Sequence, residues 1–294
     1  MRPLTPKLKF SLAIAASVVL AWRPLFDTFS LALRRDEYTH IILILPITAA
    51  LLYTEWPLDQ PSYNAFPGWG AALLALALLI GLPARFVLHA DWQMFVGVIA
   101  VVLWWLGSFV LCFGEATFRT LRFPLCFLFC LVPIPEVALN RIIAFWQQGS
   151  AVAATLLFSV AGVPVSQDGV VLSIPGLTLE IAQECSSLRS SLMLVVTSIV
   201  LAHLFLRSNW RRVFLVLAAI PISIAKNGVR IFTISMLGTR VDSGFLHGRL
   251  HRNGGIVFFL LGMFAVLLLL WFLGRSERRL GSRHKEARFS SDAT

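Results

Sequence analysis

The sequence predicts an all-α polytopic membrane protein: about eight transmembrane helices, one re-entrant segment and a short β-hairpin outside the membrane. Three observations predict it. Hydrophobic residues make up 57% of the 294-residue chain and charged residues 14%, against roughly 25% charged in soluble domains. Apolar stretches of near-spanning length recur along the chain. Basic residues gather at the ends of those stretches, as at Lys7 and Lys9, at Arg207, Arg211 and Arg212, and from Arg275 to Arg288. A soluble core cannot bury so much apolar surface, so lipid is the solvent for most of the chain. The net charge of +10 is placed as a topology signal. That placement excludes a nucleic-acid footprint.

The expected spans lie near 10–26, 39–54, 67–82, 94–113, 142–163, 186–206, 212–237 and 254–274. The first follows Lys7 and Lys9 and lacks a small-residue cleavage site, so it reads as a retained signal anchor. The stretch Phe123 to Val132 is too short to cross and ends in Pro133-Ile134-Pro135. Arg119, Arg122 and Arg141 flank it, so it reads as re-entrant with both ends in the cytoplasm. The parity then places both termini in the cytoplasm, with Arg34-Arg35 outside against the charge rule. Residues 164–184 alternate β-branched and polar residues around Asp168-Gly169 and Pro175-Gly176, which predicts a hairpin outside. Residues 1–281 form one membrane domain, and 282–294 a polar, disordered cytoplasmic tail.

Cys112, Cys126 and Cys130 lie in apolar runs and read as small hydrophobes. Cys185 stands apart, in Glu184-Cys185-Ser186-Ser187-Leu188-Arg189 at the start of a helix. Free N–H groups and the dipole at such an end favour a thiolate and can hold an oxyanion. Arg189, one turn on, adds positive potential. Arg230 lies within the seventh span, where an ionisable residue marks function, and Asn227 is one turn before it. His247 and His251 precede the last span at i,i+4 spacing. Gly248, Gly254 and Gly255 argue against a continuous helix there, and no third ligand is evident, so neither a metal nor a cofactor is expected.

Distance groups three of these residues. Cys185 is 22 residues before Arg207, about 33 Å of helix. Arg230 is 18 residues after Arg212, about 27 Å. His251 is 24 residues before Arg275, about 36 Å. The hydrocarbon core is about 30 Å thick, so all three reach the outer face of consecutive spans. A thiolate attacking a carbonyl, a histidine moving protons and an arginine stabilising charge amount to acyl transfer or peptide cleavage.

At these residues the chain resembles the exosortase/archaeosortase family of membrane transpeptidases, from about Phe123 to Phe259 and more faintly at Tyr38-Thr39-His40. The segments are Val132-Pro133-Ile134-Pro135-Glu136, Gly162-Val163-Pro164-Val165, Glu184 to Arg189, Asn227 to Arg230, and His251 to Gly255. Ser187, where the family pattern commonly has Gly, and Ile256, where an aromatic is frequent, depart from it. The resemblance implies that Cys185 is the nucleophile, Arg230 the oxyanion or thiolate stabiliser and His251, rather than His247, the acid/base. Glu184, Ser186, Arg189 and Asn227 support them. It also implies an inner-membrane enzyme that cleaves C-terminal sorting signals of exported proteins through a thioacyl intermediate. Such a signal holds a short motif such as Pro-Glu-Pro, a hydrophobic helix and a basic tail. The acceptor, lipid or glycan, stays open. Two other readings fit the same residues: a transporter or assembly factor for exported polysaccharide, and a lipid acyltransferase.

Overall fold

The computed structural model describes residues 5–57, 68–181, 188–242, 244 and 255–291. Among them, seven helices are long and apolar enough to cross a membrane, and eight if a bent N-terminal pair counts as one span. The chain is a multi-pass membrane protein. It divides into two compact units, Met1–Leu139 and Asn140–Thr294.

The first unit opens with α1 (Pro6–Leu20) and α2 (Trp22–Arg34), which meet at a 79° bend. The sequence suggests one helix over 10–26, and the structure corrects this. Pro24 explains the break. A proline is tolerated in the first turn of α2 but would clash with the carbonyl of Leu20 if α1 continued. That carbonyl accepts from the Arg85 guanidinium instead. α1 is held along its length by Trp104 Nε1 on the Ala13 carbonyl at 3.0 Å and Trp105 Nε1 on Ser17 Oγ at 2.7 Å. α2 buries Thr28 and Ala32 and exposes Trp22, Phe26 and Leu33.

α3 (Ile41–Glu55) runs back, and α4 (Gly68–Val87) packs antiparallel on α5 (Ala90–Thr120). Two glycines bring α4 and α5 together: a Cβ on Gly107 would lie 2.7 Å from the Gly70 carbonyl oxygen, and one on Gly70 would lie 3.0 Å from Val110. α5 breaks at Gly114 (φ +81°), one residue past the end expected from sequence. Trp56, at the end of α3, packs edge-on against Phe109 and Phe113 with ring centroids 6.2 and 5.3 Å away, and Phe10 joins them.

The short apolar segment follows as α6 (Arg122–Phe127) and a 3₁₀ turn, Leu128–Leu131. Leu121 and Leu125 belong to the cluster that holds Leu52 and Trp56, at one end of α3. Ile134 accepts a 2.7 Å hydrogen bond from Tyr38 Oη, and Glu136 pairs with Arg35 at 3.5 Å, both at the other end of α3. The expected re-entrant segment therefore does not return to the level where it starts. Its geometry gives it the reach. One α-turn and a half rises about 9 Å, the 3₁₀ turn about 8 Å, and extended residues 132–135 about 13 Å more.

The second unit holds α7 (Glu136–Val160), which begins in the first, then β1 (Ser166–Asp168), β2 (Val171–Ile174), β3 (Leu177–Glu180), α8 (Leu188–Phe205), α9 (Asn209–Arg240) and α10 (Gly255–Ser291). The single hairpin expected outside is a three-stranded antiparallel sheet in the order β1-β2-β3. Both turn signals act, with Gly169 (φ +59°) and Gly176 (φ +82°) in the left-handed region that the two tight turns require. Its apolar face, Leu172 and Ile174, packs on Phe158 of α7 and Ile231 of α9.

α8, α9 and α10 share a core of Leu194, Leu215, Val266 and Leu270. At the basic end, Glu277 of α10 accepts from the backbone N–H groups of Arg207 at 3.1 Å and Ser208 at 2.7 Å, and pairs with Arg211 at 3.4 Å. An acid there satisfies orphan donors at the start of α9. α10 continues to Ser291, where a disordered tail is expected from 282. Arg, Lys, Glu and Ala favour helix, so the polar composition does not stop it.

With the bent pair taken as one span and the 122–135 segment as one passage beside the seven long helices, the number of passages is odd. Single cysteines at positions 7 and 278 are therefore expected on opposite faces when labelled with an impermeant maleimide in oriented vesicles. Labelling from the same face would restore the re-entrant path.

Candidate active site

The end of the second unit away from Arg207 and Glu277 is built on one face of α9. α7 runs beside it in the same direction, and small residues let the two backbones approach. A Cβ on Gly228 would lie 2.6 Å from Ala153 Cβ and 3.1 Å from the Ala154 nitrogen. A polar seam follows this contact. Trp146 Nε1 donates to Ser223 Oγ at 2.8 Å, and one turn further along both helices Asn227 Nδ2 donates to Ser150 Oγ at 3.0 Å. Asn227, Ser150 and Ser223 are fully buried. In lipid such groups need protein partners, so each bond ties α7 to α9. Asn227 Oδ1 and Ser191 Oγ are buried with no hydrogen-bond partner among the described residues.

On α9, one residue before Asn227, Lys226 is 4% exposed. Its ammonium donates to Ser190 Oγ in the first turn of α8. Its stem passes over Gly262 of α10, where a Cβ would meet Lys226 Cδ at 3.0 Å. Arg230, one turn beyond Lys226, is half-buried, and Arg189 of α8 is exposed.

Of the residues singled out from sequence, the structure describes Arg230, Asn227 and Arg189. Glu184, Cys185, Ser186, His247 and His251 lie outside the described residues. Both flanks of the Cys185 segment are described: one is held by α7 and by the cluster it shares with α9, the other by α9. On one side, Ile181 belongs to the cluster containing Ile231, and its carbonyl accepts from Gln147 Nε2 at 2.8 Å. On the other side, Ser190 is bonded to Lys226. Arg230 stands between those two anchor points in sequence. Asn227, expected to orient Arg230, turns its amide nitrogen to Ser150. Lys226 is the residue that sequence reasoning passed over, although an ionisable side chain inside a span is itself the signal.

The fold and this seam define a multi-pass membrane protein whose polar machinery lies inside a helical bundle, at the end away from its basic helix termini. The chain matches the model of the transmembrane exosortase family (Exosortase_EpsH) over residues 32–270, and it belongs to that family. Membership supports a membrane transpeptidase-type role. No curated protein and no solved structure matches the chain significantly.

Gly228→Ala is expected to cost roughly 1–3 kcal/mol through overpacking against Ala153, read as a lower unfolding midpoint of the purified protein in detergent. Gly149→Ala should cost less. Its Cβ would meet the Ile224 side chain at 3.1 Å, and a side chain can give where backbone cannot.

Proposed function

We propose that the protein is a cysteine transpeptidase of the inner membrane that cleaves C-terminal sorting signals of exported proteins. Cys185 is the nucleophile, Arg230 stabilises the oxyanion or thiolate, and His251 exchanges protons with the thiol and the leaving amine. Glu184, Ser186, Arg189 and Asn227 shape the site. The anchoring of both flanks of the Cys185 segment by α7 and α9, around Arg230, carries this reading.

The chemistry proceeds in two steps. The Cys185 thiolate attacks the scissile carbonyl, the C–N bond breaks, and His251 protonates the leaving amine. The signal peptide departs with its hydrophobic helix and basic tail, leaving a thioester on Cys185. An acceptor nucleophile, a lipid or glycan group, gives a proton to His251 and takes the acyl chain. The active site faces the extracytoplasmic side and the α10 terminus the cytoplasm, in line with the basic residues gathered around Glu277. That placement gives the enzyme access to proteins that have already crossed the membrane.

Cys185→Ala is expected to insert and fold as the parent does but to leave a sorting-signal substrate full length on a gel. With the parent enzyme, mass spectrometry should find the substrate's acyl chain on Cys185. Normal processing by the alanine variant would remove Cys185 from the mechanism.

A further inference from the structure

We propose that Ser190 and Lys226 form a second nucleophile–base pair, acting on carboxylic esters of lipids at the outer headgroup boundary. The proposal does not depend on the role of Cys185.

Contact comes first. The Lys226 nitrogen is hydrogen-bonded to Ser190 Oγ across two helices, 36 residues apart in sequence. With the amine in its free form, the same contact lets the serine hydroxyl donate to nitrogen, which is the geometry of a Ser–Lys pair. Among the described residues, no carboxylate forms an ion pair with Lys226. The pair is also asymmetric in exposure. Lys226 is buried, with its stem against Gly262, whereas Ser190 is partly exposed. A buried amine beside a partly exposed serine is what a base and its nucleophile need.

Surroundings supply the rest. Ser190 is the third described residue of α8, an 18-residue helix. Arg230, one turn from Lys226 on the same face of α9, adds positive charge. Depth selects the substrate. Ser190 stands 15 residues before Phe205, the last residue of α8, about 23 Å along the helix in a hydrocarbon core of about 30 Å. The ester linkages of membrane lipids lie at that level, at the junction of acyl chain and headgroup.

The reaction balances with water as co-reactant. Ser190 Oγ bonds to the ester carbonyl carbon as its proton passes to Lys226 Nζ. The carbon–oxygen bond to the lipid alcohol breaks, and the alkoxide takes the proton from Nζ. Water then releases the fatty acid by the same path in reverse, returning the proton to Ser190.

The test is covalent labelling of the full chain, in bilayer nanodiscs, with an alkyl fluorophosphonate, the adduct located by peptide mass spectrometry. The parent should carry the adduct on Ser190, at a rate that rises with pH as the amine loses its proton. Ser190→Ala should carry none there. Lys226→Arg keeps the charge and the hydrogen-bond donor but cannot serve as a base, so labelling should slow about a hundredfold while the unfolding midpoint stays near that of the parent. Lys226→Met should slow as much. Absence of an adduct at Ser190 in the parent, or an undiminished rate in Lys226→Arg, would overturn the proposal and leave the contact as a tie between α8 and α9. Processing of a sorting-signal substrate is scored separately, so either result leaves the Cys185 reading standing.

Discussion

The close approach of α7 and α9 is the constraint on which the second unit depends. Gly228 against Ala153, and Gly149 against Ile224, bring the two helices near enough for their polar side chains to meet. In lipid there is no hydrophobic gain from joining two apolar helices, so packing and interhelical hydrogen bonds hold them. The Trp146–Ser223 and Asn227–Ser150 bonds fit in that narrow gap. Each model-system bond of this kind contributes about 1 kcal/mol. Their larger value is in register: a slip of one residue would leave buried polar groups facing lipid.

That register reaches the outer end of the bundle. Phe158 and Phe232 continue the α7–α9 contact with ring centroids 5.0 Å apart, and the sheet rests on the same cluster. β3 therefore delivers the chain to Ile181 in a fixed position, while Lys226 holds the first turn of α8. The sheet and the first described turn of α8 are thus tied to the α7–α9 packing.

The spans were legible because length and apolarity suffice to define them. The end expected near 113 fell beside the break at Gly114, and both turn signals in 164–184 were realised, since glycine with positive φ is a local property. The failures share a different cause. Pro24 was visible, but whether a proline starts a helix or interrupts one depends on where the preceding helix stops. The path of 122–135 is decided by Tyr38 and Leu52, far away in sequence. Lys226 was readable as a charge within a span, yet its partner Ser190 lies on another helix. Cys185 and His251 rest on sequence and family membership, with the structure contributing the anchors on either side of the cysteine.

Glu277 also bears on the order in which the protein is made. The N–H groups at the start of α9 and the flank of Lys226 are both completed by α10, through Glu277 and Gly262. α10 follows α8 and α9 in the chain. Until it leaves the ribosome and docks, the α8–α9 pair carries an uncovered lysine in the bilayer and an uncapped helix end at its surface. A chain cut before this helix would lack both the acceptor for those N–H groups and the cover over the lysine stem.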